Sequence, residues 1–404
     1  MNTSWSSVDL LLLRDTALMT RVAINPDLLR WARERARTTP DELARRFPKL
    51  AQWESRELQP TLKQLDRFAK AMHAPVGYLF LPHPPDEPLP IPDFRTIGGR
   101  EIVRPSADLL DMIYVCQERQ GWYRSFALVN QQRPRRFVGS LTTGTPVVEA
   151  AARITEALEF NLDSRRDCPT WTDALRQFIA QADRIGVLVM VTGVVLNNNR
   201  RVLDPGEFRG FALSDDLAPL VFINGADTKA AQMFTLAHEL AHLWLGASAL
   251  SDGSPASFSN HRVERWCNAV AAELLAPLTV VRTELRHDEP LETALDRLAK
   301  RFKVSTLVIL RRLFDAGTIS REQFDDAYAQ EAAHLKGLVA AARATGGGGN
   351  FYLTTAVRVS RRFARALVES TLEGRTLYRD AFRMLGISKT KTFNELGRSL
   401  NFVL

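Results

Sequence analysis

In the stretch Phe234-Thr235-Leu236-Ala237-His238-Glu239-Leu240-Ala241-His242-Leu243-Trp244-Leu245-Gly246, two histidines stand four residues apart. On a helix this spacing sends both imidazoles out from one face, about one turn from each other. That is the placement two nitrogen ligands need to share a zinc ion. Glu239 follows the first histidine and is offset around the helix. It is badly placed to share the ion but can reach a water on it as general base. Phe234, Leu236, Leu240, Leu243 and Leu245 wrap the same helix in apolar contacts. A helix buried nearly all round is a costly home for two imidazoles and a carboxylate without a partner, and a metal supplies one.

Two histidines leave the ion short of at least one protein ligand. The candidates downstream are His261, Glu264, Glu273 and His287. Glu264 is favoured. It lies in Val263-Glu264-Arg265-Trp266-Cys267-Asn268-Ala269-Val270-Ala271-Ala272-Glu273-Leu274-Leu275, a buried-helix pattern in which Glu264 and Asn268 share a face. Its carboxylate would complete a His2Glu set and leave a fourth position for water. Asn268 could then orient a ligand histidine from behind. Glu273 sits off that face and is expected at the surface or in a helix cap. His261, one turn before Glu264, is expected either near the substrate, polarising a carbonyl, or in a solvated loop.

These residues need elements to hold them. Before the histidine helix the period changes to strands: Gly186 to Val191, Phe208 to Leu213 and Pro219 to Asn224. Asn224-Gly225-Ala226-Asp227 turns the chain into the helix, with Asp227 or Thr228 as N-cap. The edge of this small sheet, read as the Pro219–Asn224 strand, could pair with an extended peptide and hold it over the metal. Residues 106–185 read as helical scaffold, with Thr145 and Thr170 as N-caps. Downstream, residues 290–319 read as two helices about the turn Lys303-Val304-Ser305. They are basic through Arg297, Lys300, Arg301, Lys303, Arg311 and Arg312. Either phosphate contact or packing beside the histidine helix would suit them.

Length and composition bound the rest. The 404 residues are enough for two or three domains with ample core. A net charge of +7 permits nucleic-acid contact without requiring it. Cys116, Cys168 and Cys267 are scattered with no C-x-x-C, which argues against a disulfide framework and a cysteine zinc site and suits the cytoplasm. No stretch is long enough to span a membrane, so no membrane partner is expected. The expected fold class is α+β and mainly helical. Residues 1–21 are read as a disordered extension, 22–81 as a small helical domain, and 82–105 as a Pro-rich linker. Residues 106–344 form the metal-bearing domain, and 345–404 a basic helical segment after the hinge Thr345-Gly346-Gly347-Gly348-Gly349-Asn350.

Two resemblances add to this. Around Trp53-Glu54-Ser55-Arg56-Glu57-Leu58-Gln59-Pro60-Thr61-Leu62-Lys63-Gln64-Leu65, residues 22–81 resemble an XRE-type helix-turn-helix domain. From Leu43-Ala44 to Trp53 the chain is several residues shorter than that family, at the turn and the first turn of the recognition helix. Such a domain would dock on DNA through Arg45, Arg46, Lys49 and Arg56; the other reading is a module that packs on its own enzyme or a protein partner. Residues 219–319, with Pro219-Leu220-Val221-Phe222-Ile223-Asn224, Phe234-Thr235-Leu236-Ala237-His238-Glu239-Leu240-Ala241-His242 and Glu264 to Pro277, resemble the ImmA/IrrE family of zinc metallopeptidases. The resemblance implies a minimal thermolysin-like, gluzincin-type core, one zinc ion on His238, His242 and Glu264, and Glu239 as catalytic residue. It also implies limited cleavage of a helix-turn-helix repressor. Trp266 and Val270 depart from that family's pattern but touch no implied ligand. The contrasting expectation is a non-catalytic DNA-binding regulator, or an antitoxin-like protein, with a vestigial peptidase domain.

Overall fold

In a computed structural model the described residues are 21–93, 104–251, 261–286, 288–345 and 351–402. The extension over 1–20, the glycines of the hinge and His287 lie outside them. The chain divides into two units, Met1–Pro90 with Val103–Asp111, and Ile91–Ile102 with Met112–Leu404.

The first unit is built from short capped helices. α1 (Pro26–Arg35) opens at Asn25, whose side chain accepts the Asp27 N–H, with Pro26 at the first helical position. α2 (Pro40–Ala44) and α4 (Leu62–Ala71) each begin with a capping box, Thr39 with Glu42 and Thr61 with Gln64. Between them α3 (Leu50–Glu54) has no side-chain cap. Leu28, Leu29, Trp31, Phe47, Trp53, Leu65 and Phe68 form the core. Phe47 meets Phe68 edge-on at 5.4 Å. Arg45, Arg46, Lys49 and Arg56 are all exposed. The start of the Pro-rich stretch is tied down here. Asn25 Nδ2 donates to the Pro82 carbonyl (3.0 Å), and Arg35 makes a two-pronged pair with Glu87 (2.6 and 3.0 Å).

The second unit is mainly helical around a four-stranded mixed sheet. Its strands are β1 (Leu188–Thr192), β2 (Gly210–Leu213), β3 (Leu220–Asn224) and β4 (Ala249–Ser251), in the order β1-β3-β2-β4. β1 runs parallel to β3, β2 antiparallel to β3, and β4 antiparallel to β2. The expectation that the Pro219–Asn224 run is an edge for a peptide is therefore corrected. β3 is hydrogen-bonded on both sides and has no free ladder to offer. Every residue of β1, β2 and β3 is buried, so both sheet faces are covered.

One face, through Val189, Val191, Ala212, Val221 and Ile223, shares a core with α6 (Val147–Leu158), α8 (Trp171–Ile185), α9 (Lys229–Leu245) and α10 (Arg262–Leu275). α6 starts one residue later than its sequence suggests. Pro146 is the N-cap, and Thr145 instead accepts the Thr142 N–H. The other face meets α5 (Ala107–Val129), where Cys116 Sγ lies 3.9 Å from Met190 Sδ. It also meets the chain's last segment: α15 (Phe351–Arg358) and α16 (Arg361–Leu372) pack on β1. The buried Arg119 donates to the Met384 carbonyl (3.0 Å), which ties α17 (Tyr378–Leu385) to the same layer. Arg362 likewise donates to the Asp183 carbonyl at the end of α8 (2.7 Å).

α12 (Leu291–Phe302) and α13 (Thr306–Asp315) form the expected pair about Lys303, which adopts φ 55°. Their cations are mostly engaged within the fold. Arg297 pairs with Glu289 (2.6 Å), Arg301 with Glu284 (3.3 Å) and Arg311 with Asp315 (2.9 Å). Arg312 is buried against Glu273.

Candidate metal centre

α9 is fixed at both ends by local chemistry. The Thr228 hydroxyl accepts the Ala231 N–H (3.2 Å), and Gly246 ends the helix at φ 71°, a left-handed conformation that suits glycine. Two of the last-turn carbonyls also accept bonds from the loop before α6. Gly139 N–H donates to Leu243 O (3.1 Å) and Leu141 N–H to Trp244 O (3.0 Å), while Phe137 stacks on Trp244 at 4.3 Å. Every residue from Gln232 to Trp244 is buried. Each fully buried Leu or Phe contributes about 1.5–3 kcal/mol, which offsets the cost of enclosing the polar residues among them.

α10 packs along α9, and it too is held at its end. Arg165, almost fully buried, donates to Leu275 O (2.8 Å), Leu274 O (3.3 Å) and Phe302 O (3.3 Å) and lies 5.1 Å above the Phe160 ring. Arg312 donates to Ala276 O (2.8 Å) and to the Glu273 carboxylate. Glu273 also accepts the N–H of Leu278 (3.3 Å), the first residue of the next helix, α11 (Leu278–Thr283), whose N-cap is Pro277. It is buried, however, and not a surface residue. The signal for that burial is Arg312, 39 residues on, and is invisible locally.

These two helices bring His238, His242 and Glu264 together. His238 Nε2 lies 3.1 Å from His242 Nε2, and the Glu264 carboxylate is 3.2 Å from the first and 2.9 Å from the second. All three are buried, and each offers one ligand atom within 4.8 Å of the others. Donors at roughly 2.0–2.1 Å from a tetrahedral zinc ion stand about 3.3 Å apart. The observed spacing is within a few tenths of that, and the donor set is two imidazoles and one carboxylate, so the residues fit the ion.

The electrostatics suit a cation. Burial pushes the Glu264 carboxyl up, but the charge and hydrogen bonds of His238 and His242 outweigh it and hold the group at about 2. Burial lowers His242 despite the opposing pull of Glu264, which favours the neutral imidazole that ligates metal. Burial, and then the charges of Glu264 and Glu239, push the neighbouring Cys267 thiol well above its usual range. It remains a thiol and is no competitor for the ion.

Glu239 is fully buried on the same helix. A Cβ added to Gly210 of β2 would lie 3.2 Å from Glu239 Oε1 and 2.6 Å from Thr235 Cγ2. Gly210 was not singled out from sequence, although a glycine inside a strand signals a close backbone approach. Asn268 is buried on the Glu264 helix, yet neither its Oδ1 nor its Nδ2 has a hydrogen-bond partner among the described residues. The expected bond to a ligand histidine is absent there. His261 is exposed at the N-cap of α10, outside the His-His-Glu group. No helix among the described residues is long and apolar enough to cross a membrane.

Comparison with known proteins bears on this centre. Residues 359–399, which include α16 on β1 and the helices after it, match a family described as a domain of unknown function (DUF8813). A 91-residue stretch is 36% identical to the radiation response metalloprotease IrrE of Deinococcus radiodurans. The stretch covers 21% of this chain and 28% of that relative, so the chain spans little more than a quarter of the relative's length. Residues 182–314, which include the sheet, His238, Glu239, His242 and Glu264, match the M78 peptidase family, described as the IrrE N-terminal-like domain.

Proposed function

We propose that the chain is a zinc-dependent metalloendopeptidase that cuts a regulatory protein, a helix-turn-helix repressor in particular, at a limited number of positions. The observation that carries this reading is the buried group of His238, His242 and Glu264 with Glu239 on the same helix. Structural zinc sites are closed by four protein ligands. Three ligands leave the open position that hydrolysis uses.

Bound at these residues, zinc would supply Lewis acidity, polarising the scissile carbonyl and making water more acidic. The chain's own residues do the rest. His238 and His242 present Nε2 from one helix face, and Glu264 presents a carboxylate kept ionised by its surroundings. Glu239 takes the proton of the attacking water on its carboxylate and delivers it to the leaving nitrogen. The apolar residues of α9 keep bulk water away and strengthen each charge interaction.

Limited cleavage is favoured because a general protease inside a cell would be hazardous; the scattered cysteines support a cytoplasmic setting. The relative's role in a radiation response agrees with a regulatory substrate. The exposed Arg45, Arg46, Lys49 and Arg56 also support a second reading, a DNA-binding regulator that does not depend on hydrolysis. One experiment separates the two. Repressors encoded near the gene are incubated with zinc and either wild type or Glu239→Gln. Cleavage by wild type alone supports the peptidase. No cleavage, with salt-dependent promoter binding that Glu239→Gln leaves intact, supports the regulator.

A further inference from the structure

Residues 359–399 hold nine Lys and Arg against four Asp and Glu, in a chain of net charge +7, so this short stretch carries most of the positive excess. Its helices have a recognisable order. α16 packs on both α17 and α18 (Thr390–Ser399). The buried Phe363, Leu367, Ala381, Leu385, Phe393 and Leu396 come from all three. The Phe393 ring lies 5.3 Å from Tyr378 and 5.7 Å from Phe382. The four residues 386–389 join α17 to α18. Gly386 ends α17 at φ 69°, its N–H donating to Arg383 O (3.1 Å) and the Ile387 N–H to Phe382 O (2.9 Å). A Cβ at 386 would lie 3.0 Å from Asn197 Nδ2, which donates to the Gly386 carbonyl. Two short helices about a tight turn with a glycine, backed by a third helix, are the parts of a helix-turn-helix unit.

The charges lie on the outer side of that unit. Ser388, Lys389, Thr390 and Lys391 are exposed at the start of α18, and Lys391, the half-buried Asn394 and the exposed Arg398 share one face of it. Arg379 and Arg383 are exposed one turn apart on α17. Their pairs with Asp380 (3.5 Å) and Glu118 (2.6 Å) are surface pairs of little strength, which a phosphate can replace. Among the described residues no carboxylate pairs with Lys389 or Lys391. Helix starts favour Ser, Thr, Asp or Asn as N-cap and acidic residues in the first turn. α18 has Lys389 as N-cap, without a side-chain cap bond, and no acidic residue in its first turn. That choice disfavours the helix alone and suits an anion beside it. A second segment adds to the same surface. The loop after β1 is pinned at the turn by Asn197, which also accepts from Arg358 Nη1 (2.7 Å), and it exposes Asn198, Asn199 and Arg200.

We propose that α17 and α18 bind duplex DNA, with the first turns of α18 in the major groove. Lys389 and Lys391 meet phosphates at the groove's edge, Asn394 and Arg398 face the bases, and Arg200 reaches a phosphate on the flank. The major groove of B-DNA is about 12 Å wide and admits a helix about 10–12 Å across. The deep, narrow major groove of A-form RNA does not, so duplex DNA is the partner that fits. This surface is separate from Arg45, Arg46, Lys49 and Arg56 and does not depend on hydrolysis. Because α16 packs on β1, DNA held here is held to the sheet that carries the candidate metal centre.

The test uses the full chain and three double variants: Lys389→Glu with Lys391→Glu, the same two lysines changed to Gln, and Arg45→Glu with Arg46→Glu. The probe is a fluorescein-labelled DNA duplex of mixed sequence, about 20 base pairs or two turns long, read by anisotropy across a salt series. Wild type is expected to bind it, less tightly as salt rises. Losing two phosphate contacts should reduce the slope of log K against log salt by about 2 and weaken binding at least about tenfold in the Glu pair, less in the Gln pair. Both lysines are exposed, so thermal midpoints should stay at the wild-type value. Bound DNA should also slow hydrogen exchange of the 388–392 amides. Unchanged affinity and slope in both lysine pairs overturns the proposal, as does a loss of binding confined to the Arg45 and Arg46 pair. So does failure of wild type to bind the duplex at low salt, or equal affinity for an RNA duplex of the same sequence.

Discussion

Gly210 and Glu239 meet where β2 crosses α9: a Cβ at position 210 would sit 3.2 Å from Glu239 Oε1, 2.6 Å from Thr235 Cγ2 and 2.7 Å from the Phe222 carbonyl. Two of these neighbours belong to the histidine helix and the third is backbone, so a side chain there must move one element against the other. Gly210→Ala is expected to cost about 1–3 kcal/mol of stability, the usual penalty of overpacking. It should also lower kcat by displacing Glu239 while zinc content stays at wild-type level. Urea unfolding, metal analysis and peptide kinetics on one preparation check all three.

Glu239→Gln keeps the size of the side chain and removes its capacity to take a proton. Turnover should fall about 10²–10⁴-fold, the range for loss of a general base. Zinc stoichiometry should remain that of wild type, and a variant that loses its metal would show that Glu239 is a ligand.

Glu264→Ala should do the opposite and release the metal. The loss in zinc affinity is expected to exceed the roughly 10- to 100-fold that removal of an outer partner costs. Chelator competition measures it. In wild type, EDTA should also lower the thermal midpoint, because a ligand present at about 100 times its Kd stabilises the folded state by about 2.7 kcal/mol.

The pH dependence of zinc binding follows from the signs of the two shifts. A proton on a ligand imidazole competes with the ion. Burial lowers His242, so its neutral form persists to more acidic pH than that of an exposed histidine. Glu264, held at about 2, stays ionised throughout that range. The part of the affinity set by these two ligands should therefore be level near neutrality and fall only below the ordinary imidazole range, about pH 6.5. A fall that begins above that range would contradict the direction given for His242.

Glu273→Ala leaves the Arg312 guanidinium buried beside an empty position. Breaking a buried pair from one side costs up to about 3–5 kcal/mol, reduced here because Asp315 still pairs with Arg312 (3.2 Å), and it loosens the C-terminal end of α10, opposite the end that carries Glu264. Chemical unfolding should show the loss, with zinc affinity changed less than in Glu264→Ala. Replacing both partners with apolar residues should recover part of the stability.

Which parts of this arrangement could be read from sequence follows from how far apart the deciding residues lie. The boundaries of α9 were legible because Thr228 and Gly246 sit at its ends and its apolar run is unbroken. Asn25, Thr39 and Thr170 marked helix starts for the same local reason. The proximity of Glu264 to the histidines was legible from its spacing with Asn268 in a buried helix, although no partner of Asn268 followed from that. The strand order was not legible. β3 reads like an edge because it directly precedes the turn into α9, and its two neighbours come from segments before it. β4, only three residues long, carries no alternating pattern to detect. The burial of Glu273 and Arg165 likewise depends on residues 39 and more than 100 positions away.

The layer that covers the sheet on the side away from α9 draws on α15 to α17, from the last part of the chain. A ribosome delivers that part after the sheet and α9. Until residues beyond 350 emerge, Leu188, Met190 and their neighbours on that face have no helix from this segment to cover them, even if α9 and α10 have already closed around the metal site. A nascent chain at that point would present an exposed apolar sheet face, the form of intermediate that chaperones bind and that aggregates when they do not.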